Sequence, residues 1–283
     1  MRPTARHSGC AIRPSGFTLV EVLCCCAVVA LLTGLLLPAL AGAREAGRAA
    51  ACSSNLRQLA LASDLYAGDN RSSYAPGAPD YLANRTRWFG ARASLSLPFD
   101  SEGGPLSGYL GGVGGQSVRR CGSFAPSTAS SAAAFERGCG GYGYNNAFVG
   151  VRGRWAGPAW LVETDRSGAP VAAFANPSAV IAFADAAFFA GNGTPGLIEY
   201  SFTEPRRWPG DPSQRPEPSI HFRHHSGRSK SAPGLAAAAW LDGHVDSVPR
   251  AFTWSSGLYG TPAQDALLGW PGERDDNTLF GGR

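Results

Sequence analysis

The sequence predicts an α+β protein. One long N-terminal α-helix, transmembrane in its first half and amphipathic in its second, should pack on a loop-rich antiparallel β-sheet domain. Three observations carry this. The only long apolar run lies at residues 17–37. A stretch rich in Ala, Leu, Arg, Glu and Gln, all good helix formers, continues it to about residue 67. The remainder of the 283-residue chain holds most of the 37 glycines and 21 prolines, with short apolar runs between them.

Length allows one sizeable domain or two small ones, and 44% apolar residues suffice for a packed core. The net charge of +4 is largely local. Arg2, Arg6 and Arg13 precede the first acid, Glu21, and from residue 17 onward 22 basic residues face 21 acidic ones. Global charge therefore gives no nucleic-acid footprint, and no nucleic-acid partner is expected.

Residues 1–16 read as a short basic leader and 17–37 as a membrane span. The run has 21 residues, and a helix needs about 20 to cross the hydrocarbon core. Arginines on its N-terminal side predict a single-pass protein with a cytoplasmic N-terminus. A secretory signal peptide is the competing reading, but its apolar region is about 7–15 residues. Lipoprotein processing does not fit, because Cys10 lacks an apolar run before it and Cys24 follows Leu23. Glu21 is a charge inside the span. It costs about 2.5–3.5 kcal/mol at a helix centre and less near an end, so either it snorkels to headgroups or it has work to do.

Residues 38–68 continue the helix beyond the membrane. Cys52, Leu56, Leu59, Ser63 and Tyr66 form one stripe at helical spacing. Gly68 is the expected C-cap, and Pro38 should kink or locally unwind the rod. A helix over residues 17–67 would be roughly 75 Å long.

The leader, then Gly16-Phe17-Thr18-Leu19-Val20-Glu21, the apolar run and Pro38 resemble the N-terminus of type IV pilins and type II secretion pseudopilins. The resemblance implies cleavage by prepilin peptidase between Gly16 and Phe17, and methylation of the new Phe17 amine. It implies that Glu21 neutralises the amine of a neighbouring subunit in a fibre. A carboxylate in apolar surroundings is tolerable when so paired. It also implies membrane lipid, other pilin-like subunits and an inner-membrane assembly platform as partners, with the body in the periplasm. Further along, Cys52 to Leu59, Tyr66, Asp69 and Tyr142-Gly143-Tyr144-Asn145 resemble a large family of pilin-like proteins of unknown function. Its members end on a histidine, nine residues and Asp-Gly. Here Arg223-His224-His225-Ser226-Gly227 opens that motif and Trp240-Leu241-Asp242-Gly243-His244-Val245 closes it. Sixteen residues separate His225 from Asp242, about seven too many, and residues 229–235 look like an insertion.

Residues 69–283 read as the β-rich body. Residues 177–184 form an apolar run suited to a buried strand, whereas 197–203 and 219–223 alternate as half-buried strands do. Asp242-Gly243 should make a two-residue hairpin turn between 236–241 and 244–248. An antiparallel sheet on the second half of the helix is the economical arrangement. Residues 111–115 and 127–134 read as loops.

His221, His224, His225, Asp242, His244 and Asp246 fall within 26 residues. A metal set of His225, Asp242, His244 and Asp246 is one reading, with calcium favoured over zinc if the aspartates lead. Turn-stabilising hydrogen bonds on a solvated strand are the other. No G-x-S-x-G, H-E-x-x-H or phosphate-binding glycine loop is present. Asp165, Asp185 and Glu199 are the remaining carboxylates of interest. The expectation is a structural protein without turnover and without a required cofactor. A membrane-anchored periplasmic binding protein or metal-dependent enzyme, using the His/Asp cluster, is the alternative.

Of seven cysteines, Cys24, Cys25 and Cys26 sit in the span and act as small apolar residues. Cys52, Cys121 and Cys139 should face an oxidising space. Cys121–Cys139 closes a short loop and is the expected disulfide, contributing about 3 kcal/mol; Cys52–Cys121 is the alternative. Arg119-Arg120 and Arg206-Arg207-Trp208 are short basic patches that read as solvated surface.

Overall fold

The computed structural model of the chain describes residues 16, 18–111, 120–127, 136–190, 196–224 and 234–282. Phe17, His225, Arg119 and the leader through residue 15 lie outside the described residues, as do parts of both expected loops. The contact pattern divides the chain into two compact units, 1–44 and 45–283.

Helix α1, Leu19–Asp69, is one uninterrupted element of 51 residues. It passes through position 38 without the unwinding expected of proline. In the first unit every described side chain from Thr18 to Arg44 is exposed, and most are apolar. This part of α1 is long and apolar enough to span a membrane. Its one hydroxyl is satisfied internally: Thr33 Oγ1 donates to the carbonyls of Val29 at 2.9 Å and Ala30 at 3.0 Å. Lipid offers no substitute partner for such a group.

In the second unit α1 becomes amphipathic. Cys52, Leu56, Leu59, Ala60, Ala62, Ser63 and Ala67 are buried, while Leu61 and Leu65 face outward. The helix overshoots Gly68. It stops where Arg71 and Ser72 turn left-handed, at φ of 55° and 54°. Ser72 N then donates to the Ala67 carbonyl at 2.9 Å, and Asn70 Nδ2 to that of Tyr66 at 2.8 Å. Orphan carbonyls are thus satisfied by a Schellman-type closure and a side chain, not by glycine.

The body is a mosaic of short strands: β1 Thr86–Arg87, β2 Gly90–Ala91, β3 Tyr142–Tyr144, β4 Arg152–Ala156, β5 Ala159–Thr164, β6 Ile181–Asp185, β7 Phe188–Phe189, β8 Leu197–Ile198, β9 Ile220–His221, β10 Leu235–Trp240, β11 Val245–Pro249 and β12 Leu268–Gly269. Its centre is a four-stranded antiparallel sheet in the order β11-β10-β6-β3. Along β10, Ala237 and Ala239 join the core with Leu56, Leu59 and Phe183, while Ala236, Ala238 and Trp240 pack with Phe148, Phe222, Trp270 and Phe280. Both faces are covered. That explains the near-continuous run of small apolar residues in place of alternation.

Several sequence expectations shift by local chemistry. Residues 177–184 divide into a 3-10 turn, Pro177–Ala179, and the buried strand β6. Of 197–203 and 219–223, only β8 and β9 are strands. The stretch after β8 instead runs beside β3: Tyr144 N donates to Ser201 O at 2.9 Å and Thr203 N to Tyr144 O at 3.0 Å. This contact needs Gly143, where a Cβ would meet the Phe202 carbonyl oxygen at 2.5 Å. The β10–β11 hairpin has a three-residue loop, Leu241-Asp242-Gly243. Gly243 N donates to Trp240 O at 3.0 Å, and Trp240 N to His244 O at 3.0 Å. With Gly243 at φ 86°, this is the turn-plus-glycine form of hairpin. The β4–β5 hairpin was not legible; it pairs Trp155 with Trp160 across the strands, their rings 5.3 Å apart.

Candidate functional site

Three places in the fold hold the candidate residues. The first is the start of α1. Thr18 N and Thr18 Oγ1 donate to Glu21 Oε2 at 2.8 and 2.9 Å, and Glu21 N donates to Thr18 Oγ1 at 3.3 Å. This is a reciprocal capping box. Its sequence signature is Thr-x-x-Glu, residues 18–21. Glu21 is therefore in the first helical turn, at the positive end of the helix dipole. Gly16 is exposed.

The second is the β10–β11 hairpin. His244 Nδ1 lies 2.5 Å from Asp242 Oδ1, and His244 Nε2 lies 3.2 Å from Asp246 Oδ2. The ring stacks on Trp240, with centroids 5.5 Å apart. Because the two aspartates sit at opposite edges of one imidazole, their oxygens and a ring nitrogen do not converge on a point. Asp242, His244 and Asp246 thus form a turn-stabilising network on an exposed strand, the second of the two readings the sequence offered for them. His225, its fourth expected member, lies outside the described residues.

The third is buried between α1 and the central sheet, and no motif announced it as a unit. Cys52 comes from α1, Cys121 from a loop, Asp185 from the end of β6, and Arg223 and His224 follow β9. The Cys52 and Cys121 sulfurs and a His224 ring nitrogen all lie within 4.8 Å of one another, and all three residues are buried. His224 Nε2 is 3.1 Å from Asp185 Oδ2 and 3.8 Å from Cys121 Sγ, while Nδ1 faces Glu45 Oε1 at 3.3 Å. Asp185 Oδ1 accepts from Arg223 Nη2 at 2.7 Å, and Oδ2 accepts from Ala237 N at 2.8 Å. Arg223 also donates to the Gly141 carbonyl and lies over the Phe124 ring at 4.8 Å.

The electrostatics follow from these contacts. Burial works against the Asp185 carboxylate, but Arg223 and His224 outweigh it and hold the group at about 2. Burial would lower His224, yet hydrogen bonds to Asp185 and Cys121 raise it to about 10. A hydrogen bond from Cys121 pulls the Cys52 thiol down to about 7, and the same bond raises Cys121. His221, buried beside Arg223, is pushed well below the usual range by desolvation.

The expected Cys121–Cys139 bridge is not formed; Cys52, Cys121 and Cys139 are all free thiols. Cys121 N bonds the Gly140 carbonyl at 2.9 Å, so the backbones are neighbours, but the Cys121 sulfur is directed at α1. The remaining candidates have structural duties. Arg206 is buried and donates to the carbonyls of Pro271 at 3.1 Å, Gly272 and Arg274, and Arg207 pairs with Asp275 at 2.5 Å. Glu199 accepts from Gly138 N at 2.5 Å and Gly140 N at 3.2 Å. Asp165 lines a cavity of about 640 Å³ together with Tyr81, Trp160, Phe202, Glu204 and Trp208. The three carboxylates Asp165, Asp185 and Glu199 thus serve separate sites.

Comparison with known proteins adds no relative: no family model, no curated protein and no solved structure matches the chain.

Proposed function

We propose that the chain is a pilin-like structural subunit that assembles helix against helix into a pseudopilus or pilus-like fibre, for protein secretion or surface attachment. The observation that carries this reading is α1 itself, a single 51-residue helix. Its first part displays apolar side chains all round, and its second part buries one stripe in the body. A helix apolar on every side needs lipid or other helices as its surroundings. A fibre core of such helices supplies the second after the membrane has supplied the first.

In this reading prepilin peptidase cleaves after Gly16 and methylates the Phe17 amine. The subunit waits in the inner membrane, N-terminus cytoplasmic and body periplasmic, until an assembly platform extracts it. Glu21 then pairs with the Phe17 amine of a neighbour. The capping box supports this role, since it keeps the carboxylate at the level of the helix start.

The experiment separates capping from charge. Glutamine also serves in a capping box, so Glu21→Gln keeps the helix start and removes the charge. Processing should survive in Glu21→Gln and Glu21→Val, and incorporation into fibres should fail in both. Fibres from Glu21→Gln at the parental level would remove the role given to the carboxylate. Mass spectrometry of the native chain should find a methylated Phe17 N-terminus; an intact Met1, or cleavage near Ala43, would overturn the reading.

A further inference from the structure

We infer that Cys52, Cys121, His224 and Asp185 form a closed, structural zinc site that fastens helix α1 to the central sheet. This does not depend on the fibre reading. Zinc takes tetrahedral sulfur, nitrogen and oxygen ligands at about 2.3 Å for sulfur and about 2.0–2.2 Å for nitrogen and oxygen. Ligand atoms around one such ion stand roughly 3.3–3.8 Å apart by the same geometry. The observed 3.8 Å from Cys121 Sγ to His224 Nε2 is at that spacing, and the 3.1 Å from Nε2 to Asp185 Oδ2 is a few tenths of an ångström inside it, as for two groups that now share a hydrogen bond. Cys52 Sγ completes the group within the 4.8 Å envelope it shares with Cys121 and His224.

The surroundings are those of a metal centre. A ligating histidine commonly gives its second ring nitrogen to a carboxylate, which fixes the tautomer. Glu45 stands 3.3 Å from His224 Nδ1 in that position and is itself held by Arg48 at 2.6 Å and Ser123 at 3.2 Å. Asp185 is likewise oriented, by Arg223 on one oxygen and Ala237 N on the other. Charge closes as well. Two thiolates and the Asp185 carboxylate carry three negative charges, and Zn²⁺ with the Arg223 guanidinium balances them. A buried cluster without net charge avoids the desolvation penalty of an unpaired ion.

Binding breaks both S–H bonds and the Nε2–H bond of His224, and those protons leave to solvent as the zinc–ligand bonds form. No redox change is involved. Cys52, Cys121 and His224 supply three ligands; with Asp185, 3.1 Å from the His224 nitrogen, as the fourth, no position stays open for substrate and the site is structural. The competing fate of the same sulfurs is a Cys52–Cys121 disulfide.

The test uses the full chain in detergent, with free thiols alkylated at lysis, and adds zinc alone as the metal. Elemental mass spectrometry should find about one zinc per chain, with Cys52 and Cys121 protected from alkylation until the metal is chelated under denaturant. Cobalt exchanged into the same protein should give a thiolate-to-cobalt charge-transfer band and a tetrahedral spectrum. Cys52→Ser and His224→Ala should each weaken zinc affinity by at least roughly tenfold, since losing a ligand should cost no less than losing a ligand's hydrogen-bond partner does, whereas Cys139→Ser should leave it unchanged. The cobalt spectrum of the unmodified protein decides the matter if either variant does not fold. A Cys52–Cys121 disulfide in the peptide map, or zinc well below one equivalent with alkylated Cys52 and Cys121, would overturn the site.

Discussion

Leu56 and Leu61 sit five residues apart on one helix and should behave as opposites. Leu56 has no exposed surface, while Leu61 is 57% exposed. Truncating Leu56 to alanine removes three carbons from the core cluster in which α1 meets Tyr142 and Phe183. At about 0.8 kcal/mol per buried methylene the transfer loss is roughly 2.4 kcal/mol. The cavity left behind adds to this, and fully buried leucines lose about 2–5 kcal/mol in total. For a body of this size that is a drop of about 6–15 °C in the melting midpoint. Leu61→Ala should change stability by less than about 0.5 kcal/mol. The assay is urea denaturation of the detergent-solubilised chain, followed by tryptophan fluorescence. If the chain assembles through the outward face of α1, Leu61→Ala should lose fibres while keeping its stability, and Leu56→Ala should lose stability first. Equal destabilisation by the two variants would refute the packing of α1 described here.

Glu204 gives a pH test. Burial lifts its carboxyl to about 6, partly offset by the Tyr200 hydroxyl at 2.6 Å. A folded value above the unfolded one means its contribution is fully present below about pH 4 and is lost as pH rises through about 6, worth roughly 2 kcal/mol. Glu204→Gln should therefore be more stable than the parent by that amount at neutral pH and indistinguishable from it in acid; a gap that did not vary with pH would show that charge is not the cause. The buried pair of Arg87 and Glu136, 3.1 Å apart and closed by Ser201 Oγ at 2.6 Å, gives another. Arg87→Ala should cost about 3–5 kcal/mol by stranding the carboxylate, while Arg87→Met with Glu136→Met should recover most of it. A double variant as unstable as the single one, in the same urea assay, would contradict this.

What the sequence determined was whatever a short window encodes. The apolar run of α1, its buried stripe at Cys52, Leu56 and Leu59, the strand at β6 and the β10–β11 hairpin all follow from local periodicity and turn chemistry. The capping box of Thr18 and Glu21 was equally local and could have been read. His244 with Asp242 and Asp246 illustrates the limit. Proximity along a strand was visible, but whether three groups converge on a point or flank one ring depends on side-chain direction. Helix termination at Asp69, closed through Arg71 and Ser72 and not through Gly68, was decided by the bond onto the Ala67 carbonyl, a contact that propensity does not specify. The buried cluster lies furthest from the sequence. Cys52, Cys121, Asp185 and His224 are spread over 173 positions, and no spacing links them. Only the sheet order β11-β10-β6-β3, with α1 laid across it, brings a helix cysteine, a loop cysteine, a strand carboxylate and a histidine into one apolar pocket. Burial there makes charge balance and ligand geometry matter, because in water none of these groups would need the others.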